Sequence, residues 1–159
     1  MDTLRLDVRD GSVEFFVNDR NLREWIHEIE LPFAEREGST SIAGSYVGVY
    51  EDLVFLPSRH LLGEPVPPYS SSDGRAMLYV CADCQEPGCW PFYVRIALAP
   101  ETVSWDEFEQ PHRRVALGKA EAWRYDSLGP FVFERKRYEV ALSRARGAQA
   151  PGIAPGPPD

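Results

Sequence analysis

The residues best suited to chemistry lie in one short stretch, Cys81-Ala82-Asp83-Cys84-Gln85-Glu86-Pro87-Gly88-Cys89-Trp90-Pro91. A Cys-x2-Cys pair lets two sulfurs meet one tetrahedral ion at about 2.3 Å, and Cys89 offers a third thiol from the same turn. For a structural zinc, the fourth ligand would come from His60, from His112, or from a carboxylate such as Asp83 or Glu86. The spacing begins like a retroviral-type knuckle, but its third ligand is Cys rather than His and Val94 stands where the fourth is expected. Two other readings of the thiols stay open: reduced and packed, or paired as a Cys84–Cys89 or Cys81–Cys89 disulfide or redox couple. A catalytic cysteine needs a histidine beside one particular thiol, and nothing in the sequence places one there.

Two further stretches pair histidine with arginine at the end of an apolar run: Ser58-Arg59-His60 and Gln110-Pro111-His112-Arg113-Arg114. Each imidazole is read either as bonded to backbone or as a metal or acid-base group, and an enzyme would gather Arg59, His60, His112 and Arg113 into a cleft. No phosphate-binding Gly-rich loop, Gly-x-Ser-x-Gly elbow or His-Glu-x-x-His helix is present. His27 falls on the polar side of its helix. Trp25, Trp90, Trp105 and Trp123 read as core or rim aromatics, with Trp105 the first choice for full burial.

The elements that must hold these residues follow from pattern. Leu4, Leu6 and Val8 alternate with charged residues, Asp10-Gly11 supplies turn chemistry, and Val13 to Val17 follows, so an N-terminal β-hairpin is expected. Leu22, Trp25, Ile26 and Ile29 repeat at helical spacing, which predicts a short helix over about 21–30 that stops at Pro32. Residues 31–50 read as a loop with close backbone packing, Leu53 to Leu56 as a buried strand, Ser58 to Gly63 as one capped turn, and residues 64–74 as an exposed loop. Ala76 to Cys81, Phe92 to Leu98 and Thr102 to Trp105 form a three-stranded antiparallel meander with the cysteine loop as its first connection. Trp123 to Tyr125 is a further strand candidate. Phe131-Val132-Phe133 leads into an amphipathic helix near 134–146, and the Pro- and Gly-rich residues 147–159 describe a disordered tail. The expected fold is therefore α+β, an antiparallel meander with an N-terminal hairpin and two helices, in one domain over residues 1–146.

Composition narrows the function classes. A chain of 159 residues with 43% hydrophobic and 12% aromatic residues can bury a core without staples. No apolar run is long enough to span a membrane, and the first residues lack the order of a signal peptide, so a cytoplasmic protein is expected. An odd number of cysteines agrees with a reducing compartment. The net charge of −8 is unevenly spread: residues 1–110 carry 20 acids and 8 bases, residues 111–146 carry 4 acids and 9 bases. The basic segment reads as a solvated face that pairs with the acidic body. Nucleic acid is not an expected partner, whereas a basic protein is.

Glu37-Gly38 with Ile42-Ala43-Gly44-Ser45-Tyr46, Pro57-Ser58-Arg59-His60-Leu61-Leu62-Gly63, the Cys-x2-Cys-x4-Cys-Trp-Pro loop, Trp105-x2-Phe108-x-Gln110-Pro111-His112-Arg113 and Gly129-Pro130-Phe131 together resemble a group of small uncharacterised bacterial cytosolic proteins. The likeness spans about residues 4–142 and implies no activity. Three functional readings follow: a non-enzymatic acidic binding protein of the immunity or adaptor type, a zinc-stabilised domain using Cys81, Cys84, Cys89 and His60 or His112, or an enzyme with a His/Arg cleft.

Overall fold

The computed structural model describes residues 1–116 and 121–149, with side chains as far as Ser143. The N-terminal hairpin forms as expected from β1 (Leu4–Arg9) and β2 (Ser12–Val17), and β3 (Arg20–Asn21) adds to β2. Helix α1 follows at once over Leu22–Glu37. Asn21 caps it, its side-chain oxygen accepting from the N–H groups of Arg23 and Glu24, and Gly38 in the left-handed region closes it.

The helix runs past Pro32, where the sequence pattern had it stop. Pro32 lies on the exposed face, so the carbonyl its ring leaves without a donor can be hydrated. The buried stripe also continues, through Leu22, Ile26, Glu30 and Ala34. Its last two members are an acid and a small residue, which is why a hydrophobic pattern loses it after Ile29.

A second sheet has the order β4-β5-β6-β7-β8 and is antiparallel throughout, from β4 (Tyr46–Gly48), β5 (Ala76–Cys81), β6 (Phe92–Leu98), β7 (Thr102–Glu109) and β8 (Phe131–Glu134). The predicted meander is its centre. Residues 31–50, expected to be loop, supply β4, and the expected close packing is found at Gly48, where a Cβ would stand 1.7 Å from the Val13 carbonyl oxygen. Leu53 to Leu56 is buried but not a strand: Glu51–Val54 forms a single helical turn, α2, since a short apolar run does not distinguish the two by period. Trp123 to Tyr125 is not a strand either, although Trp123 and Tyr125 are buried against the core. The last helix, α3, spans Arg135–Gln149, three residues into the predicted tail, and the rest of that tail lies outside the described residues.

The small sheet touches both edges of the large one. Val13 N–H donates to the Val49 carbonyl at 2.9 Å beside β4, and Asp2 N–H donates to the Val132 carbonyl at 2.8 Å on β8. Between the sheets and α3 lies a core in which Trp105 is fully buried; its Nε1–H donates to the Tyr138 hydroxyl at 3.0 Å, which donates to the Leu61 carbonyl at 2.6 Å. Among the described residues no helix is long and apolar enough to cross a membrane.

The contact at Gly48 leaves no room for a methyl group, so Gly48→Ala must part β4 from β2. The expected loss is about 1–3 kcal/mol of unfolding free energy in denaturant titration. A variant as stable as the parent would show that the two strands do not approach this closely.

Candidate thiol site and its buried support

The β5–β6 connection places the three cysteines. Cys81 ends β5, opposite Tyr46 of β4, and is buried, whereas Cys84 and Cys89 are exposed. Two tight turns bring them back on one another: Gln85 N–H donates to the Cys81 carbonyl at 2.9 Å, and Cys89 N–H donates to the Glu86 carbonyl at 3.2 Å. Gln85 at φ 59° and Gly88 at φ 90° give the loop its reversals. The three sulfurs lie within 4.8 Å of one another, a group that could hold a metal ion. In a tetrahedral thiolate site with metal–sulfur bonds of about 2.3 Å, sulfurs stand about 3.8 Å apart, so only a small contraction separates this loop from a ligating one.

Backbone donors already face the sulfurs. The N–H groups of Cys84, first, and Asp83 lower the Cys81 thiol below its ordinary value, helped by the thiols of Cys89 and Cys84, and burial opposes them. Glu86 N–H approaches the Cys84 sulfur at 3.5 Å. Cys89 behaves in the opposite sense: its thiol, donating a hydrogen bond towards the Cys84 and then the Cys81 sulfur, is pushed up to about 12. No disulfide joins the three. With Cys84 and Cys89 exposed, the reading of packed thiols applies to Cys81 alone.

The two predicted histidine ligands go to different places. His60 is fully buried, its Nδ1 accepting from Val66 N–H at 3.0 Å and its Nε2–H donating to the Met77 carbonyl at 2.9 Å. Burial holds its pKa below the usual imidazole range, so it is a neutral structural histidine. Met77 is four residues before Cys81 along β5, a separation of about 13 Å. His112 is beside the loop: its Nε2 bonds the Gly88 carbonyl at 2.7 Å, and its ring stacks on Trp90 with centroids 5.8 Å apart. Neither imidazole, and neither Asp83 nor Glu86, belongs to the group of mutually close ligand atoms, which is the three sulfurs alone among the described residues. Of the two arginines, Arg59 pairs with Glu64 at 2.6 Å, and Arg113 with Glu37 at 2.9 Å.

Beneath the loop is a support that pattern reading missed. Arg113 lies over both Trp90 and Trp123, 5.2 and 5.5 Å from their ring centroids, and the Trp123 Nε1–H donates to the same Glu37 at 2.5 Å. Deeper, Gln110 donates from Nε2 to the Pro91 carbonyl and to the Tyr46 hydroxyl, both at 2.9 Å. Tyr46 in turn donates to Glu30 Oε2 at 2.6 Å, Tyr125 donates to the same oxygen at 2.6 Å, and Gly44 N–H donates to Oε1 at 2.8 Å. Glu30 is fully buried. One signal pointed to it: it stands four residues after Ile26, on the apolar stripe of α1.

No family model matches the chain, and no curated protein or solved structure matches it either.

Burial raises the Glu30 carboxyl from about 4.5 to about 7, against the three donors, which lower it. The folded protein therefore keeps a proton that the unfolded chain releases near pH 4.5. Stability from this group is fully present below that pH and is lost as pH rises through about 7, a decline on the order of 3 kcal/mol. Glu30→Gln cannot ionise, and its amide N–H can face the tyrosine hydroxyls. The difference in unfolding free energy between parent and variant should change across pH 4.5–7 in that sense; a difference independent of pH would exclude titration of Glu30.

Proposed function

We propose that Cys81, Cys84 and Cys89 hold one zinc ion and that the protein is a zinc-stabilised binding module. The observation carrying this reading is the convergence of the three sulfurs within 4.8 Å. The backbone N–H donors aimed at Cys81 add to it, because a metal ligand must be a thiolate and these dipoles stabilise one there. Zinc suits the donor set, since thiolate sulfur selects it and the chemistry needs no redox change. In this role the ion would replace a hydrophobic core at the tip of the hairpin. Residues 82–86 are exposed, and nothing apolar within them could hold the turns together.

Native mass spectrometry of protein expressed without added metal is expected to show one zinc per chain, and chelator should lower the melting temperature. Cys84→Ser and Cys89→Ser, both at exposed positions and thus compatible with folding, should each weaken zinc binding by more than about 100-fold. A bare-chain mass together with melting unchanged by chelator would refute the proposal.

A second reading concerns the remaining surface, and the net charge of −8 favours it. Five of the nine bases of the C-terminal segment are engaged with acids: Arg113 with Glu37, Arg114 with Glu109, Arg124 with Asp126, Arg135 with Glu139 and Arg137 with Glu134. The charge of these five is met locally, and the chain as a whole stays acidic. A non-enzymatic module of the adaptor or immunity type that meets a basic protein partner fits this surface. Its association should be lost between low and physiological salt; binding indifferent to salt would refute the electrostatic reading.

A further inference from the structure

We infer that the metal centre has a fourth coordination position that this chain does not fill, and that this position takes an exogenous neutral nitrogen donor of the imidazole class. The inference rests on the zinc reading and deepens it. Three sulfurs form the whole group of close ligand atoms among the described residues, although Asp83 and Glu86 belong to the same loop. The chain has three cysteines and three histidines, and residues 117–120 and 150–159 contain none of either. His60 is committed at both ring nitrogens, inside the core. His112 spends Nε2 on the Gly88 carbonyl and stacks its ring on Trp90, which holds it as a prop for the loop. His27 is on α1, where its side chain packs against Gly44.

Access and charge then define the ligand. Cys81 forms the floor of the group while Cys84 and Cys89 are at the exposed rim, so a ligand can reach the metal from solvent. Three thiolates on a divalent ion leave a net charge of −1, on a protein whose own net charge is −8. A further anion would meet repulsion from both, whereas a neutral imidazole would not. Imidazole nitrogen is also a normal partner of thiolate in four-coordinate zinc sites. A histidine exposed on a partner protein would satisfy these requirements, which makes the hairpin tip a contact that is read through the metal.

The test uses the full chain loaded with cobalt(II), whose ligand-field spectrum reports coordination. Titration with imidazole should shift the visible bands in one saturable step, one imidazole per cobalt, and acetate should bind at least about fivefold more weakly. Loss of the thiolate-to-cobalt charge-transfer band before any titration would refute the metal reading itself. If that band is present but the spectrum does not respond to imidazole, the metal site stands and the open position is refuted. In that case His112→Ala distinguishes the cause, because an imidazole response appearing only in the variant would identify His112 as the fourth ligand. Two chains per cobalt in native mass spectrometry would also overturn the inference, since a second copy would then complete the site. Equal binding of acetate and imidazole would overturn the assignment of a neutral donor.

Discussion

Burying a carboxyl group is unfavourable unless each oxygen meets a donor, and the donors that Glu30 meets come from parts of the chain far apart in sequence. Gly44 lies in the turn before β4 and Tyr46 at its start, and Tyr125 belongs to the irregular segment before β8. The network therefore fixes α1 against the first edge of the large sheet and holds down a stretch with no ladder of its own. Through Tyr46 and Gln110 it reaches the Pro91 carbonyl, immediately after the cysteine loop. The loop's C-terminal base thus depends on a carboxyl buried in a helix, while its N-terminal base is the end of β5. Both legs of the hairpin are set before any metal is considered.

What could be read from residues alone divides along this line. Strands with alternating or continuous apolar pattern, β1, β2, β5, β6 and β7, were legible because burial and period say the same thing there. The far half of α1 was not, because its core-facing residues are Glu30 and Ala34, and an acid on an apolar stripe reads as solvated surface until its partners are known. β4 was hidden for a related reason. Its sequence, Tyr46-Val47-Gly48, contains the glycine that lets Val13 approach, and glycine reads as loop. Each error marks a place where a tertiary contact overrides a local preference.

The thiol site shows the same division. Sequence spacing was sufficient to bring three sulfurs together, since the ligands all lie in one turn and the turn is specified locally. A ligand from elsewhere depends on how the sheet carries it, and the two candidates were separated by it. His60 is tied to the first part of β5 and His112 to the loop itself. Adjacency to arginine at the end of an apolar run described both correctly and did not distinguish a core histidine from a surface one. The distinction is made by Met77 and Val66, whose backbone groups take both nitrogens of His60.

The contrast between floor and tip has a physical reason. A buried network satisfied at every atom confers rigidity but offers nothing to a partner, and the layer above it is held by ring and ionic contacts among Trp90, His112, Arg113, Trp123 and Glu37, although the buried Trp90 Nε1–H meets no acceptor among the described residues. Beyond Trp90 the loop loses that protection. Most of its residues are exposed, its turns rest on two backbone hydrogen bonds, and three sulfurs converge there as possible ligands. A few thiolates can bind an ion much more strongly than exposed turns of this length can hold themselves. An ion held by the three sulfurs would therefore add to the tip what its own turns lack, above a base already tied together by ring contacts and ion pairs.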